Sequence, residues 1–378
     1  NISMGKDFAM AVGAGRETAD GTLENVNVVW TWGSNVSGQQ GTGYRANVWR
    51  DNNGYWHNGT TDSNSPAYGK DQLAFGTPHK VLGQEGIDYL VNITRVAAGD
   101  GHALAIRSDS TVFAWGDNTY GQLGMGYEKT NDLYVSYSAV PIRVVPGEYD
   151  NEAYFLRDVI RIDAANRYSM AMMRDGQVYV WGLNTNSVLG RNGEYSVRPL
   201  KVYIDDEDGI AVQATDISAG INHAMVLGTN DKLYVWGNNT YGQLGQGADA
   251  KGTIVGKPLA VLAGDNNDLE KSDDYFRTTT SFGAGMNHSV VMRRDGQVYI
   301  MGSYDWGKYD EVGVTDPVIL ADTVEPDRFG NEELKLYRWY VNGEKQSNFY
   351  TLQVGTLPDQ YTLSQMSAEQ IAAIPRAA

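Results

Sequence analysis

A five-fold internal repeat constrains this chain more than any other feature of it. Five segments share one pattern: Val28-Val29-Trp30-Thr31-Trp32-Gly33, Val112-Phe113-Ala114-Trp115-Gly116, Val178-Tyr179-Val180-Trp181-Gly182, Leu233-Tyr234-Val235-Trp236-Gly237 and Val298-Tyr299-Ile300-Met301-Gly302. Two continue almost identically, Asp117-Asn118-Thr119-Tyr120-Gly121-Gln122-Leu123-Gly124 and Asn238-Asn239-Thr240-Tyr241-Gly242-Gln243-Leu244-Gly245, and the first keeps a looser Gly38-Gln39-Gln40-Gly41. A second pattern precedes each. Val96 to Ile106, with His102, recurs as Ile217 to Leu227 with His223 and as Phe282 to Met292 with His288. It recurs again as Ile2 to Val12 and Ile162 to Met172, where Phe8 and Tyr168 take the histidine place. A third pattern follows each: Pro78-His79-Lys80-Val81, Pro141-Ile142-Arg143-Val144, Pro199-Leu200-Lys201-Val202, Pro258-Leu259-Ala260-Val261 and Pro317-Val318-Ile319-Leu320.

Each unit reads as a small antiparallel sheet. Tyr168 to Met173 and Gln177 to Trp181 are strand-like, and Asp175-Gly176 between them supplies the positive φ of a tight hairpin. Asp295-Gly296 repeats that turn. Asn118, Asn184 and Asn239, two places after each Trp-Gly, suit a side chain that bonds nearby backbone to hold a turn. One such sheet cannot bury both faces, so neighbours must stack, and radial stacking gives a propeller. The fold class expected is therefore all-β, a β-propeller.

The succession Gly-x-x-His, then Trp-Gly-x-Asn-x-x-Gly-Gln-Leu-Gly, then Pro-x-Lys-Val resembles the repeat of the regulator-of-chromosome-condensation (RCC) family. That resemblance implies blades of a typically seven-bladed ring. With five repeats visible, the expectation is part of a six- or seven-bladed propeller over residues 1–325, incomplete on its N-terminal side. The chain opens at Asn1 on a strand-like segment without a signal peptide, which reads as part of a longer precursor. The interval between successive Trp-Gly steps is uneven, so loops of different length fall on one face. The longest, Tyr44 to Gly76, carries Tyr44, Trp49, Tyr55 and Trp56 among Asn, Gly, Asp and Ser. Such aromatics suit stacking on a glycan or anchoring in a protein interface, or else fold back on the blade edge. After Leu320 the pattern stops. Residues 326–378 read as a short β-rich extension with strands near Leu336–Val341 and Asn348–Val354 about Asn342-Gly343, resembling the start of a bacterial immunoglobulin-like domain.

The chemistry is sparse. There is no cysteine, which excludes disulfides and thiolate sites. The formal charge of −16 opposes nucleic acid and anionic membrane, and no apolar run is long enough for a transmembrane helix. His102, His223 and His288 fall at one repeat position and would ring one face. Three imidazoles suggest zinc, but Phe8 and Tyr168 fill the same slot, and a slot that accepts aromatics is a packing slot. No metal or cofactor is expected. Trp32, Trp115, Trp181 and Trp236 are expected to pack between blades. Asp205 to Asp208 and Asp265 to Asp268 are acidic but lack the spacing of a calcium loop. In the RCC family's chromatin regulator, acidic and histidine side chains at this signature serve guanine-nucleotide exchange. Asp100 and His102 occupy those places here. The leading expectation is a noncatalytic interaction propeller of a secreted or cell-surface bacterial protein, binding a protein or glycan through its variable loops. The alternatives are a guanine-nucleotide exchange factor for a small GTPase and a proteinaceous enzyme inhibitor.

Overall fold

The computed structural model describes residues 1–17, 23–43, 48–50, 56–58, 74–147, 155–247, 250–263, 275–303, 313–322, 334–336, 340–341, 344–345 and 350–352. The repeats form five antiparallel sheets, each a four-strand meander at its core, and these are the blades. Blade 1 comprises Ile2–Met4, Phe8–Glu17, Leu23–Ser34 and Ala74–Lys80. Blade 2 comprises Ile93–Ala98, His102–Arg107, Val112–Asp117 and Tyr137–Arg143. Blade 3 comprises Val159–Ala165, Tyr168–Met173, Val178–Leu183 and Tyr195–Val202, and blade 4 comprises Ala214–Ala219, His223–Gly228, Leu233–Asn238 and Ile254–Ala260. Blade 5 comprises Thr279–Ala284, His288–Arg293, Val298–Ser303 and Gly313–Asp322.

The register explains the repeated glycine. In every blade the signature residue sits opposite the glycine of the Trp-Gly step, as in His102 with Gly116 and His223 with Gly237. Gly116 has φ +99°, and a Cβ there would lie 2.4 Å from the Gly101 carbonyl oxygen. Only glycine fits.

Alternate side chains of the second and third strands serve two different cores. From blade 2, Ala103, Ala105, Phe113 and Trp115 pack back onto Phe8, Met10 and Val29 of blade 1. Leu104, Ile106, Val112 and Ala114 pack forward onto Ala164, Ala171 and Trp181 of blade 3. Both faces being covered, these strands read as nearly unbroken apolar runs rather than as polar–apolar alternation. Among the described residues the extensive contacts between blades run from each blade to the next in sequence.

The insertion read as a loop contains a short ribbon, Val48–Arg50 paired with Trp56–Asn58, with Trp49 opposite His57 and Arg50 opposite Trp56. Tyr44 and Tyr55 lie outside the described residues. In the extension, Leu334–Leu336 and Tyr350–Leu352 add two strands to the outer edge of blade 5. A hairpin of Tyr340–Val341 with Glu344–Lys345 brackets Asn342-Gly343.

Candidate protein-interaction face

The Trp-Gly tryptophans seat each blade on its predecessor. Trp115, Trp181 and Trp236 are fully buried. Trp115 donates its indole N–H to the Gln39 carbonyl (2.9 Å), Trp181 to that of Gln122 (2.8 Å) and Trp236 to that of Val188 (2.7 Å), each acceptor lying in the turn of the preceding blade. That turn is held by its asparagine, which reaches further along the chain than a local turn would need. Asn118 Oδ1 accepts from the Leu123 N–H (3.0 Å), and its Nδ2 donates to the Val135 carbonyl (2.7 Å). Asn239 does the same with Leu244 and Ala250. The turn ends on Gly124, whose missing Cβ lets it lie against the Trp181 indole. Trp32, at the equivalent place in blade 1, is part-exposed rather than buried, because no preceding blade's turn is seated on it among the described residues.

The histidines bond forward. His102 Nε2 lies 3.0 Å from Ser169 Oγ in blade 3, and His223 Nε2 lies 2.8 Å from Ser289 Oγ in blade 5. Each serine spends its one hydroxyl hydrogen on a turn carbonyl, Gln122 for Ser169 and Gln243 for Ser289 (both 2.9 Å), so each imidazole is the donor through Nε2–H. Nδ1 of both rings has no partner among the described residues. These are neutral rings. Burial pushes His102 down to about 4, partly offset by the charge of Asp117. Burial, with His288 nearby, pushes His223 down to about 3. Tyr168 fills the same slot in blade 3 and donates its hydroxyl to the His223 carbonyl (3.0 Å). No group of three His, Asp or Glu side chains suited to a metal occurs among the described residues.

Nearer the axis, a side-chain oxygen of one blade accepts from the first strand of the next: Ser3 from Ala98 N–H (2.9 Å), Asp163 from Ala219 N–H (2.7 Å) and Ser218 from Ala284 N–H (3.1 Å). Desolvation raises Asp163 to about 6 despite these bonds.

In blades 1 to 4 the turn between the first two strands and the Asn-held turn lie at one end, joined by backbone bonds such as Asp117 N–H to Gly101 O and Leu183 N–H to Arg167 O (both 2.9 Å). On this rim, across blades 2 and 3, Lys129 Nζ stands 4.6 Å from the Tyr120 ring centroid and 4.7 Å from that of Tyr195. The Arg167 guanidinium covers Tyr120 at 5.3 Å. Lys129 and Arg167 are exposed, and Tyr120 and Tyr195 partly so. Tyr195 donates its hydroxyl to Glu128 (3.2 Å), and slight desolvation together with that carboxylate raises its pKa. Tyr134 closes the group from behind by donating to the Asn118 carbonyl, its own pKa pushed up to about 12 chiefly by burial. Sequence reasoning sought aromatics in the Tyr44–Gly76 insertion and passed over these. The signal was the tyrosine inside the Asn-Thr-Tyr-Gly-Gln-Leu-Gly turn.

Elsewhere, an open groove of about 450 Å³ between blades 3 and 4 is lined by Gly190, Arg191, Asn192, Val255, Gly256, Lys257 and Leu259, with no carboxylate, imidazole or hydroxyl among them. Asp205 to Asp208 form a tight turn. Asp206 Oδ1 accepts from Asp208 and Ile210 N–H, while Glu207 holds Lys232. Asp265 to Asp268 lie outside the described residues.

Models of the regulator of chromosome condensation (RCC1) repeat match residues 93–122 and 214–243, and, in a second form, 109–172, 175–227 and 230–292, together just over half of the chain. The chain belongs to the RCC1-repeat family. The ultraviolet-B receptor UVR8 of Arabidopsis thaliana is 27% identical over 224 residues, 59% of this chain and 43% of that receptor. The guanine nucleotide exchange factor SRM1 of Saccharomyces cerevisiae is 25% identical over 306 residues, 79% of this chain and 57% of that protein. This RCC1-repeat chain thus spans about half the length of those two relatives. Among solved structures, human WBSCR16 superposes with TM-score 0.57 at 18% identity, covering 89% of this chain and 71% of that one. Prp20p of Saccharomyces cerevisiae gives 0.54 at 19%, covering 89% and 79%. These likenesses establish the RCC1-type β-propeller fold. Among the described residues no helix is long and apolar enough to cross a membrane.

Proposed function

We propose that this RCC1-repeat chain is a noncatalytic protein-binding propeller whose partner docks on the rim at Tyr120, Lys129, Arg167 and Tyr195. The observation that carries this reading is the stacked cation–aromatic cluster on the outer surface. Tyrosine and arginine are enriched among the residues that carry most of the binding energy of protein interfaces, tyrosine because its rigid ring offers large contact area at low entropic cost. Two exposed cations in a chain of charge −16 favour an acidic contact on the partner. The test is affinity capture from the source cell with the wild-type chain and with Tyr120→Ala/Tyr195→Ala, both matched for thermal midpoint. A partner retained equally by the two forms rules this face out.

Guanine-nucleotide exchange is the second reading, favoured by the likeness to SRM1. Asp100 is partly exposed on the rim and could take part, whereas His102 is buried against Ser169. Release of a fluorescent guanine nucleotide from a small GTPase, with and without the protein, separates the readings. A glycan partner at Trp49 and Trp56 is a further possibility resting on their place in the insertion, and a glycan array with that insertion replaced by a Gly/Ser linker tests it. The absence of cysteine is compatible with the extracellular setting expected from composition, although the relatives named above are eukaryotic and lend nothing to a bacterial source.

A further inference from the structure

Where the outer strand of one blade passes the Asn-held turn of the blade before it, a backbone bond ties the first three blades together. Gly43 N–H donates to the Ala139 carbonyl and Gly126 N–H to the Val197 carbonyl (both 2.9 Å). The two donors stand at φ +89° and +81°, two residues beyond Gly41 and Gly124. The acceptor residues press on a glycine of the turn. A Cβ on Gly38 would lie 2.9 Å from Ala139 Cα, and one on Gly121 would lie 2.7 Å from Val197 Cα.

The seam between blades 3 and 4 departs from this at each of those places. Asn192 stands where Gly43 and Gly126 stand, and the positive φ comes one residue later, at Gly193 (+128°). Asn184 pins the shifted loop by donating to the Arg191 and Gly193 carbonyls (2.7 and 2.8 Å). The Asn192 N–H consequently makes no hydrogen bond among the described residues, and the Gly256 carbonyl lacks the bond that Ala139 and Val197 receive. Sizes are exchanged as well. Ser187 holds the place of the turn glycine and Gly256 that of Ala139 and Val197, and a Cβ on Gly256 would meet nothing nearer than 3.9 Å. Ser138 and Ser196 brace the kink in their strands by donating to the Val140 and Arg198 carbonyls (2.6 and 2.7 Å). Blade 4 has Val255 at that register position, opposite Gly237, and so no hydroxyl for Lys257. The groove of about 450 Å³ opens at this spot.

Such an opening suits an extended chain, because an added strand supplies both a donor and an acceptor to backbone groups left without partners. Val255 and Leu259 give the lining its apolar part, Arg191 and Lys257 its charge, and no carboxylate belongs to it among the described residues. Lys257 is exposed and has no ion pair among the described residues, which favours acid on the ligand. We propose that this groove is a binding slot for an extended acidic peptide, whose backbone pairs with the Asn192 N–H and the Gly256 carbonyl and whose carboxylate meets Lys257. The slot shares no residue with the rim cluster, so it stands or falls apart from the docking face proposed above.

The probe is a synthetic pool of peptides about ten residues long in which Asp or Glu alternates with Val, Ile or Thr, beside a matched pool carrying Asn or Gln for the acids. Members retained by the immobilised full chain at physiological salt are resynthesised with a fluorescein label and titrated by fluorescence anisotropy. Acidic members should bind roughly tenfold more tightly than their amide counterparts, and Lys257→Glu should abolish that advantage. Gly256→Val installs the residue of blade 3, and Asn192→Gly restores the glycine of the other two seams. Each should weaken binding roughly tenfold or more at an unchanged thermal midpoint. Should Gly256→Val lower the midpoint, Asn192→Gly and Lys257→Glu decide. An acidic pool with no retained member, amide peptides that bind as well as acidic ones, or acidic peptides bound by Asn192→Gly and Lys257→Glu as tightly as by the wild type overturn the proposal.

Discussion

Removing the Trp181 indole separates packing from hydrogen bonding at the blade seat. The ring is fully buried among Leu104, Leu123, Val144 and Ala171, and its N–H meets the Gln122 carbonyl at 2.8 Å. Trp181→Ala leaves a cavity in a core shared by two blades, at a cost of about 3–5 kcal/mol. Trp181→Phe keeps most of the ring and loses the donor. The Gln122 carbonyl still receives the Ser169 hydroxyl, so no acceptor is orphaned, and the lost bond costs about 1 kcal/mol with a similar amount for the smaller ring. Met301, buried at the same place in blade 5, already dispenses with the N–H. Urea unfolding followed by far-UV circular dichroism, with the slope checked for constancy, measures both variants. An unchanged midpoint for Trp181→Ala would refute the packing argument. A Phe variant as unstable as the Ala variant would show that the seat is a hydrogen bond and not a core.

Acidification should destabilise the protein through His102 and His223. Both are held neutral when folded, so their contribution is complete above their ordinary pKa near 6.5 and declines as pH falls toward about 4 and about 3, at up to about 1.4 kcal/mol per pH unit each. Asp163, raised to about 6, works in the opposite sense between about pH 6 and 4, so His102→Phe/Ser169→Ala should nearly flatten the pH dependence of the urea midpoint there, and an unaltered slope counts against the assignment. Dialysis against a strong chelator should leave the melting curve in place, because Phe8 and Tyr168 fill two of the five slots and no group of three ligands surrounds the histidines among the described residues; a drop reversed by zinc contradicts this. Binding to duplex DNA at physiological salt should be negligible at a charge of −16, and a salt-sensitive micromolar complex would reveal a basic patch at odds with it.

The fold was legible because the repeat states its own geometry. Glycine opposite each signature residue, asparagine after each Trp-Gly and apolar runs too continuous for a one-faced sheet all follow from stacked blades. That the histidine slot also accepts aromatic rings was legible too, since Phe8 and Tyr168 share it. Its partner was not. Ser169 lies a whole repeat away from His102, and the pairing acquires meaning only when blades are placed face to face. The Tyr120–Lys129–Tyr195 group was hidden for a similar reason: it gathers side chains from separate segments, none of which is unusual alone. Trp32 shows a further limit, because a motif predicts burial only where a neighbour covers it.

The Gln122 carbonyl has a consequence of its own. It belongs to the turn that carries Tyr120 on the surface, and it receives both the Trp181 indole and the Ser169 hydroxyl, which in turn receives His102. Tyr120 N–H is bonded to the Gln122 side chain in the same turn (2.9 Å). A load applied at Tyr120 is thus transmitted through one turn into the interior of the adjoining blade. A ligand gripping the rim there would stiffen blade 3 without touching its core, and slowed amide exchange along Tyr168–Met173 would be the trace it leaves.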